Sequence, residues 1–134
     1  MSFAGVNYLA IVAAAAAGFI FGGIYYRLVS KHWLKASGVK KSAVKGHPVN
    51  LYVITVVAEL IMAWMLAGIL AHLGQVTFKN GVLSGALLWL GFVATTIAVN
   101  NSFGMRKPML SVIDGGHWLG VLLIMGAVLG AFGV

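Results

Sequence analysis

Residues 51–73 read LYVITVVAELIMAWMLAGILAHL, and this stretch decides the class of fold. It is apolar over nearly its whole length, and its one acidic residue is Glu59. A helix needs about 20 mostly apolar residues to cross the hydrocarbon core of a bilayer, whereas a barrel strand shows a shorter, alternating pattern. The stretch therefore predicts a transmembrane α-helix.

Three more stretches have the same character, namely residues 8–26, 81–100 and 110–132. Hydrophobic residues make up 61% of the chain and charged residues only 8%, whereas a soluble domain carries roughly 25% charged residues. With so few charged residues, the chain could not cover its own surface with charged groups in water. The sequence predicts an all-α fold, a four-helix transmembrane bundle that forms a single domain over residues 1–134.

Nine basic residues stand against two acidic ones, Glu59 and Asp114. In a soluble protein this balance would suggest nucleic acid as a partner. Here eight of the nine lie in the first connection, between the first two apolar stretches, and in the third connection, between the last two. Only Lys79 lies in the second connection. Because basic loops stay in the cytoplasm, we expect loops 27–47 and 104–109 to be cytoplasmic and both termini to be outside. The expected partners are membrane lipids, and no nucleic acid.

The first connection is the longest, and it carries a helical stripe. The apolar side holds Leu28, Val29, His32, Trp33 and Ala36, and the basic side holds Arg27, Lys31 and Lys35. This pattern predicts an amphipathic interfacial helix between helices 1 and 2, anchored by Trp33. The basic residues either attract anionic lipids or only set the topology. We favour topology, because such clusters are general determinants of it.

Small residues recur four positions apart, which favours close helix packing in lipid. The pairs are Gly18 with Gly22, Gly81 with Gly85, Gly116 with Gly120, and Gly126 with Gly130. They predict a tightly packed bundle with more small-residue faces than one four-helix unit needs. We therefore expect a homo-oligomer, alone or within a larger membrane complex.

Glu59 is the first candidate for a functional residue. It lies about nine residues into its span, roughly 13 Å below the cytoplasmic end at 1.5 Å per residue. Charge at that depth is expensive and often marks function. Glu59 is either a proton-linked or ligand-binding group, or a protonated side chain that bonds to a neighbouring helix and holds the bundle together. The sequence leaves both hypotheses open.

A second group of polar residues lies at the cytoplasmic end of the last two spans. Asn100 and Asn101 close the third span, while Asp114 and His117 lie three apart on one face of the fourth. Asp114 either orients His117 for proton relay or ligand binding, or lies at a helix N-terminus and pairs with Arg106 or Lys107. Trp89 is too deep for the interfacial belt and is expected to pack inside the bundle.

Several kinds of chemistry find no support in the sequence. The chain has no cysteine, and Asp114 with His117 supplies too few ligands for a zinc site. We found no nucleotide-binding loop, no nucleophile beside a base and no cofactor fingerprint. We therefore predict no metal, no cofactor and no catalytic residues.

Short motifs spread along nearly the whole chain resemble a bacterial family of four-helix integral membrane proteins classed as a domain of unknown function. They are Asn7 with the alanine-rich first span, Tyr25-Tyr26 to Trp33, Trp89-Leu90-Gly91-Phe92, Asn100 with Phe103, Ile113-Asp114-Gly115-Gly116-His117, Ile124-Met125-Gly126, and Gly130. The resemblance implies a four-helix fold in the inner membrane and no established activity. It adds weight to Trp89, Asn100 and Asp114 as site candidates, and none to Glu59.

Three functions are compatible with these features. The first is binding or transport of a small ligand with Glu59 as a proton-linked group. The second is a non-catalytic accessory or structural subunit of a membrane assembly. The third is a membrane enzyme that uses Asp114 and His117 at headgroup level; the sequence favours it least, since the pair lacks a nucleophile or metal partner.

Overall fold

Four long helices make up most of the chain in a computed structural model that describes residues 5–44 and 49–133. Helix α1 spans Tyr8–Ser37, and a single turn, α2, spans Lys41–Val44. Helix α3 spans Val49–Leu73 and α6 spans Pro108–Phe132. The third long helix is one continuous run of three parts: α4 at Phe78–Leu88, a π-helical segment at Trp89–Ala94, and α5 at Thr95–Phe103.

The four predicted spans are confirmed as helices, each lying within one of the long helices. All four are long and apolar enough to cross a membrane, with mean hydropathy between 1.7 and 2.3. No strand occurs in the described residues. The protein is therefore a multi-pass membrane protein of the all-α class.

The predicted interfacial helix is not present as a separate element. Residues 27–36 instead continue α1 without a break to Ser37, where Gly38 ends the helix in the left-handed conformation. The apolar stripe divides between two environments. Trp33 and Ala36 pack with Leu110 of α6, whereas Leu28 is 78% exposed. Contact with α6 thus accompanies the continuation of α1 to Ser37, which the stripe alone did not reveal.

The last turn of α1 also receives the basic residues of the third connection. Arg106 Nη1 donates to the Ser37 carbonyl at 3.3 Å, and Lys107 Nζ donates to the Lys35 carbonyl at 3.3 Å. The final carbonyls of a helix lack partners within it and attract cations. These bonds place the two basic connections at the same end of the bundle. Residues 45–48 of the first connection, which include Lys45, lie outside the described residues.

Helix α6 lies between α1 and α4 and contacts both. A Cβ on Gly81 would overlap the Gly126 carbonyl oxygen, and one on Gly85 would overlap the Leu122 carbonyl oxygen. A Cβ on Gly130 would in turn overlap the Thr77 carbonyl oxygen. Backbone therefore contacts backbone along α4 and α6, as the small-residue pairs predicted.

All four glycine pairs are used inside one chain. The two pairs that are not part of the α4–α6 contact meet side chains. Gly18 packs against Val121, Gly22 against His117, Gly116 against Tyr25 and Gly120 against Phe21. The pairs thus explain the packing of a single bundle. The homo-oligomer stays a prediction, but these pairs no longer argue for it.

The third long helix packs less against the bundle than the other three do. Only 6% of the residues in its apolar 18-residue stretch are buried, against 33% to 44% in the other three long helices. The π-segment and α5 contain no buried residue among those described, and a Cβ on Gly91 would meet nothing within 4 Å. The bundle therefore leaves this half of the helix open.

Candidate functional site

Glu59 lies where α1, α3 and α6 meet. Its side chain is 1% exposed, and a Cβ built on Gly18 of α1 would lie 3.8 Å from its carboxyl carbon. The same Cβ would lie 3.1 Å from side-chain atoms of both Val121 and Met125. The absence of a side chain at position 18 therefore makes room for the carboxyl group against α1.

Neither carboxyl oxygen of Glu59 makes a hydrogen bond to any described residue. A buried polar group left without a partner costs about 1–3 kcal/mol, and more if it is charged. The hypothesis that Glu59 holds two helices together requires a bond across the interface, and the described part of the chain offers none.

His117 is the other ionisable side chain that is buried without a full set of partners. It is 5% exposed, and its Nδ1 has no hydrogen-bond partner in the described structure. Tyr26 lies closest among the rings of α1, at 4.7 Å between centroids, and Phe21 stacks on the other side at 6.3 Å and 11°. A Cβ on Gly22 would lie 2.7 Å from His117 Nε2, so the imidazole lies directly against the backbone of α1.

Glu59 and His117 occupy neighbouring positions along α1. The Glu59 carboxyl group lies beside Gly18, and the His117 imidazole lies beside Gly22. Residues four apart on a helix share a face, with about 5–6 Å between Cβ positions. The structure thus brings together two candidates that the sequence treated as separate sites. We call Glu59 and His117 the buried pair.

Asp114 has a partner that the sequence analysis did not consider. The Tyr26 hydroxyl donates to Asp114 Oδ1 at 2.6 Å. Neither predicted pairing of Asp114 is seen among the described bonds: His117 Nδ1 is unpaired, while Arg106 and Lys107 bond to the end of α1. The reason is the length of α1, which continues past Tyr26 and offers its last carbonyls to the basic side chains.

Two more side chains hold the first turns of α6. The Tyr25 hydroxyl donates to the Ile113 carbonyl at 2.6 Å, and Trp89 Nε1 donates to the Gly115 carbonyl at 2.8 Å. Trp89 is the first residue of the π-segment, an irregularity that often occurs at functional sites. Trp89 is half-buried, and this bond connects the third long helix to α6. These bonds fix the backbone that carries Asp114 and His117.

The two asparagines have different surroundings. Asn101 Nδ2 donates to Ser111 Oγ at 3.1 Å and so ties α5 to α6 near the first turns of α6. Asn100 is exposed and lines an open groove with Thr95, Thr96 and Val99. Asn101 therefore supports the region of Asp114, whereas Asn100 lies apart from the buried pair.

The arrangement does not resemble a metal centre. Within residues 5–44 and 49–133, no three side chains of the metal-ligating types come together. What the site does offer is proton chemistry, since a carboxyl group, an imidazole, a phenol and a second carboxyl group follow one another along the α1–α6 contact.

Sequence reasoning missed the residues that complete this site. Tyr25 and Tyr26 drew attention only as part of a motif in the family resemblance, and Gly22 only as one of a packing pair. One signal was available: Gly18, Gly22 and Tyr26 lie four apart and so on one face of α1. Which face of α6 it meets could not be read from spacing.

Comparison with known proteins identifies the family. No curated protein and no solved structure matches the chain. Residues 9–130, nearly the whole sequence, match the family described as protein of unknown function DUF1761. The chain therefore belongs to the DUF1761 family, whose activity is unknown.

Proposed function

We propose that this protein binds or transports a small ligand in a process coupled to a proton on Glu59. The observation that carries the proposal is the state of that side chain, which is 1% exposed with both carboxyl oxygens unpartnered. An apolar residue of similar size would avoid the cost of an unsatisfied group at this position. A residue that costs stability without contributing a bond is best explained by its chemistry.

The proposal also includes the orientation of the protein in the membrane. Arg106 and Lys107 meet the end of α1 that carries Lys35, and basic residues favour the cytoplasmic side. In this arrangement the Asp114 end of the site faces the cytoplasm of a bacterial cell, both termini face outward, and the protein lies in the inner membrane. Single cysteines introduced into each connection and labelled from either side of the membrane check this orientation. Any labelling then reports the introduced residue, because the chain has no native cysteine.

Native mass spectrometry of the protein in mild detergent tests the binding proposal. The wild-type protein is expected to carry a non-lipid mass that Glu59→Gln loses. Thr55→Val provides the control, since it changes a polar side chain one turn from Glu59 on the same helix and keeps both acidic residues. A protein that carries no such mass, or carries it equally in Glu59→Gln, would argue against the proposal.

A second candidate function is that of an accessory subunit, and the open half of the third long helix favours it. The π-segment and α5 contain no buried residue among those described, although they carry Asn100 and small residues such as Gly91. Small residues permit close helix packing in lipid. This role predicts that Gly91→Leu disperses an assembly in detergent, with Glu59→Gln leaving the assembly unchanged.

A further inference from the structure

We propose that His117 passes the proton between Glu59 and the end of the bundle that carries Arg106 and Lys107, with Tyr26 and Asp114 as the outer part of the route. This inference rests on the proton chemistry proposed above for Glu59. It adds the path by which a group at membrane depth reaches water.

The contact between α1 and α6 has three successive levels. Gly18 meets Val121 beside Glu59, Gly22 meets His117 one turn further, and Tyr26 meets Asp114 at the next turn. The helices run antiparallel, so each step along α1 toward Ser37 is a step along α6 toward Pro108. The levels therefore lead from Glu59 to the basic end of the bundle.

The neighbours of Glu59 leave His117 as the first acceptor along this path. Gly18, Val121 and Met125, which surround the carboxyl group from α1 and α6, have no side chain that exchanges protons. His117 lies at the next level, and its Nδ1 is buried without a partner. Such a nitrogen carries either a lone pair or an N–H that no other protein group uses, so it can exchange a proton with a neighbour.

The titratable groups that face His117 lie on its other side. They are Tyr25 and Tyr26 from α1 and Asp114 from its own helix. Tyr25 bonds to the Ile113 backbone, whereas Tyr26 bonds to the Asp114 carboxyl group. Tyr26 is therefore the phenol that connects His117 to an acid nearer the end of the bundle.

The proton balance is simple. On uptake, the Asp114 carboxylate takes a proton from water and passes it to the Tyr26 oxygen while the Tyr26 hydroxyl proton moves to His117. His117 then protonates the Glu59 carboxylate, so that Tyr26 and His117 end unchanged. Because position 22 has no side chain, the imidazole lies against the α1 backbone between the two ends. Release reverses each step.

Infrared spectroscopy of the protein in liposomes tests the route. After rapid mixing with heavy water, exchange of the Glu59 proton for deuterium shifts the carbonyl stretch of its protonated carboxyl group. Glu59→Gln and Asp114→Asn assign the bands, since the sequence has no other acidic side chain. The measured quantity is the exchange rate at Glu59, and the band amplitude reports whether the site is intact.

We expect His117→Gln to slow exchange at Glu59 by about 100-fold, the lower end of the usual contribution of a positioned acid–base group. Tyr26→Phe should slow exchange as well, and Tyr25→Phe, which removes only a bond to the Ile113 backbone, should slow it much less. Gly22→Ala keeps every titratable group, but its methyl group would lie 2.7 Å from His117 Nε2 and must displace the ring. Gly22→Ala should also slow exchange at Glu59, and it tests the route even if His117→Gln does not fold.

The outcomes separate the route from the proposed function. A Glu59 band that exchanges at the wild-type rate in both His117→Gln and Gly22→Ala overturns the route and leaves proton chemistry at Glu59 standing. Equal slowing by Tyr25→Phe and Tyr26→Phe also overturns it, because a general loosening of the helices would then explain the result. A wild-type protein with no exchangeable Glu59 band contradicts both the route and the proposed function.

Discussion

Helix α6 makes two contacts of opposite character. Against α4 it packs glycine on backbone, with Gly126 touching Gly81 and Gly85 touching Leu122. Against α1 it buries the Glu59–His117 pair beside Gly18 and Gly22. Close backbone packing stabilises helices in lipid, whereas a buried group without partners destabilises them. The first contact accounts for the fold, and the proposed function accounts for the second.

The largest expected effect comes from breaking the α4–α6 contact. Gly126→Leu places a side chain where the Gly81 carbonyl lies, so the two backbones must separate. Overpacking in a tight core costs typically 1–3 kcal/mol and occasionally more, and we expect a loss of about 3 kcal/mol here. Unfolding of the purified protein in mixed micelles measures it.

Gly91→Leu is the matched control for that change. Position 91 lies on the open part of the third long helix, where a Cβ would meet nothing within 4 Å. The monomer should therefore unfold like the wild type. A similar loss of stability in both variants would show that the α4–α6 contact has no special role.

A gain in stability is expected at the α1–α6 contact. Glu59→Met removes two unpartnered oxygens and keeps a similar volume, so the free energy of unfolding should rise by about 1–2 kcal/mol. Glu59→Gln, which retains a polar group without a partner, should show no such gain. If Glu59→Met is instead destabilising, the carboxyl group has a structural role and the contrast between the two contacts fails.

The smallest effect concerns the bond between Tyr26 and Asp114. Hydrogen bonds between membrane helices contribute on average about 0.6 kcal/mol, because the unfolded helices also find partners. A double-mutant cycle of Tyr26→Phe with Asp114→Asn should give a coupling of that size. The cycle of Tyr25→Phe with Asp114→Asn should give less, since the Tyr25 hydroxyl bonds to the Ile113 carbonyl.

Residue type and spacing were sufficient to predict the fold and part of the site. Runs of apolar residues predicted the four long helices, and the depth of Glu59 within its span singled out a residue that is indeed buried. Both features are local, since they depend on composition along one helix.

The rest depends on how helices face one another. The bond from Tyr26 to Asp114 joins residues 88 positions apart, and nothing in either helix alone selects that pairing. The interfacial helix was mispredicted for the same reason. Its amphipathic stripe was real, but contact of Trp33 and Ala36 with α6 determined where the apolar side would lie.

An infrared titration of the carboxyl groups across the pH range in which the protein stays folded tests the central claim, that Glu59 is present for its proton chemistry. The account predicts a reversible change in a protonated carboxyl band that disappears in Glu59→Gln and survives in Asp114→Asn. A Glu59 carboxyl group that keeps one protonation state throughout that range would contradict it.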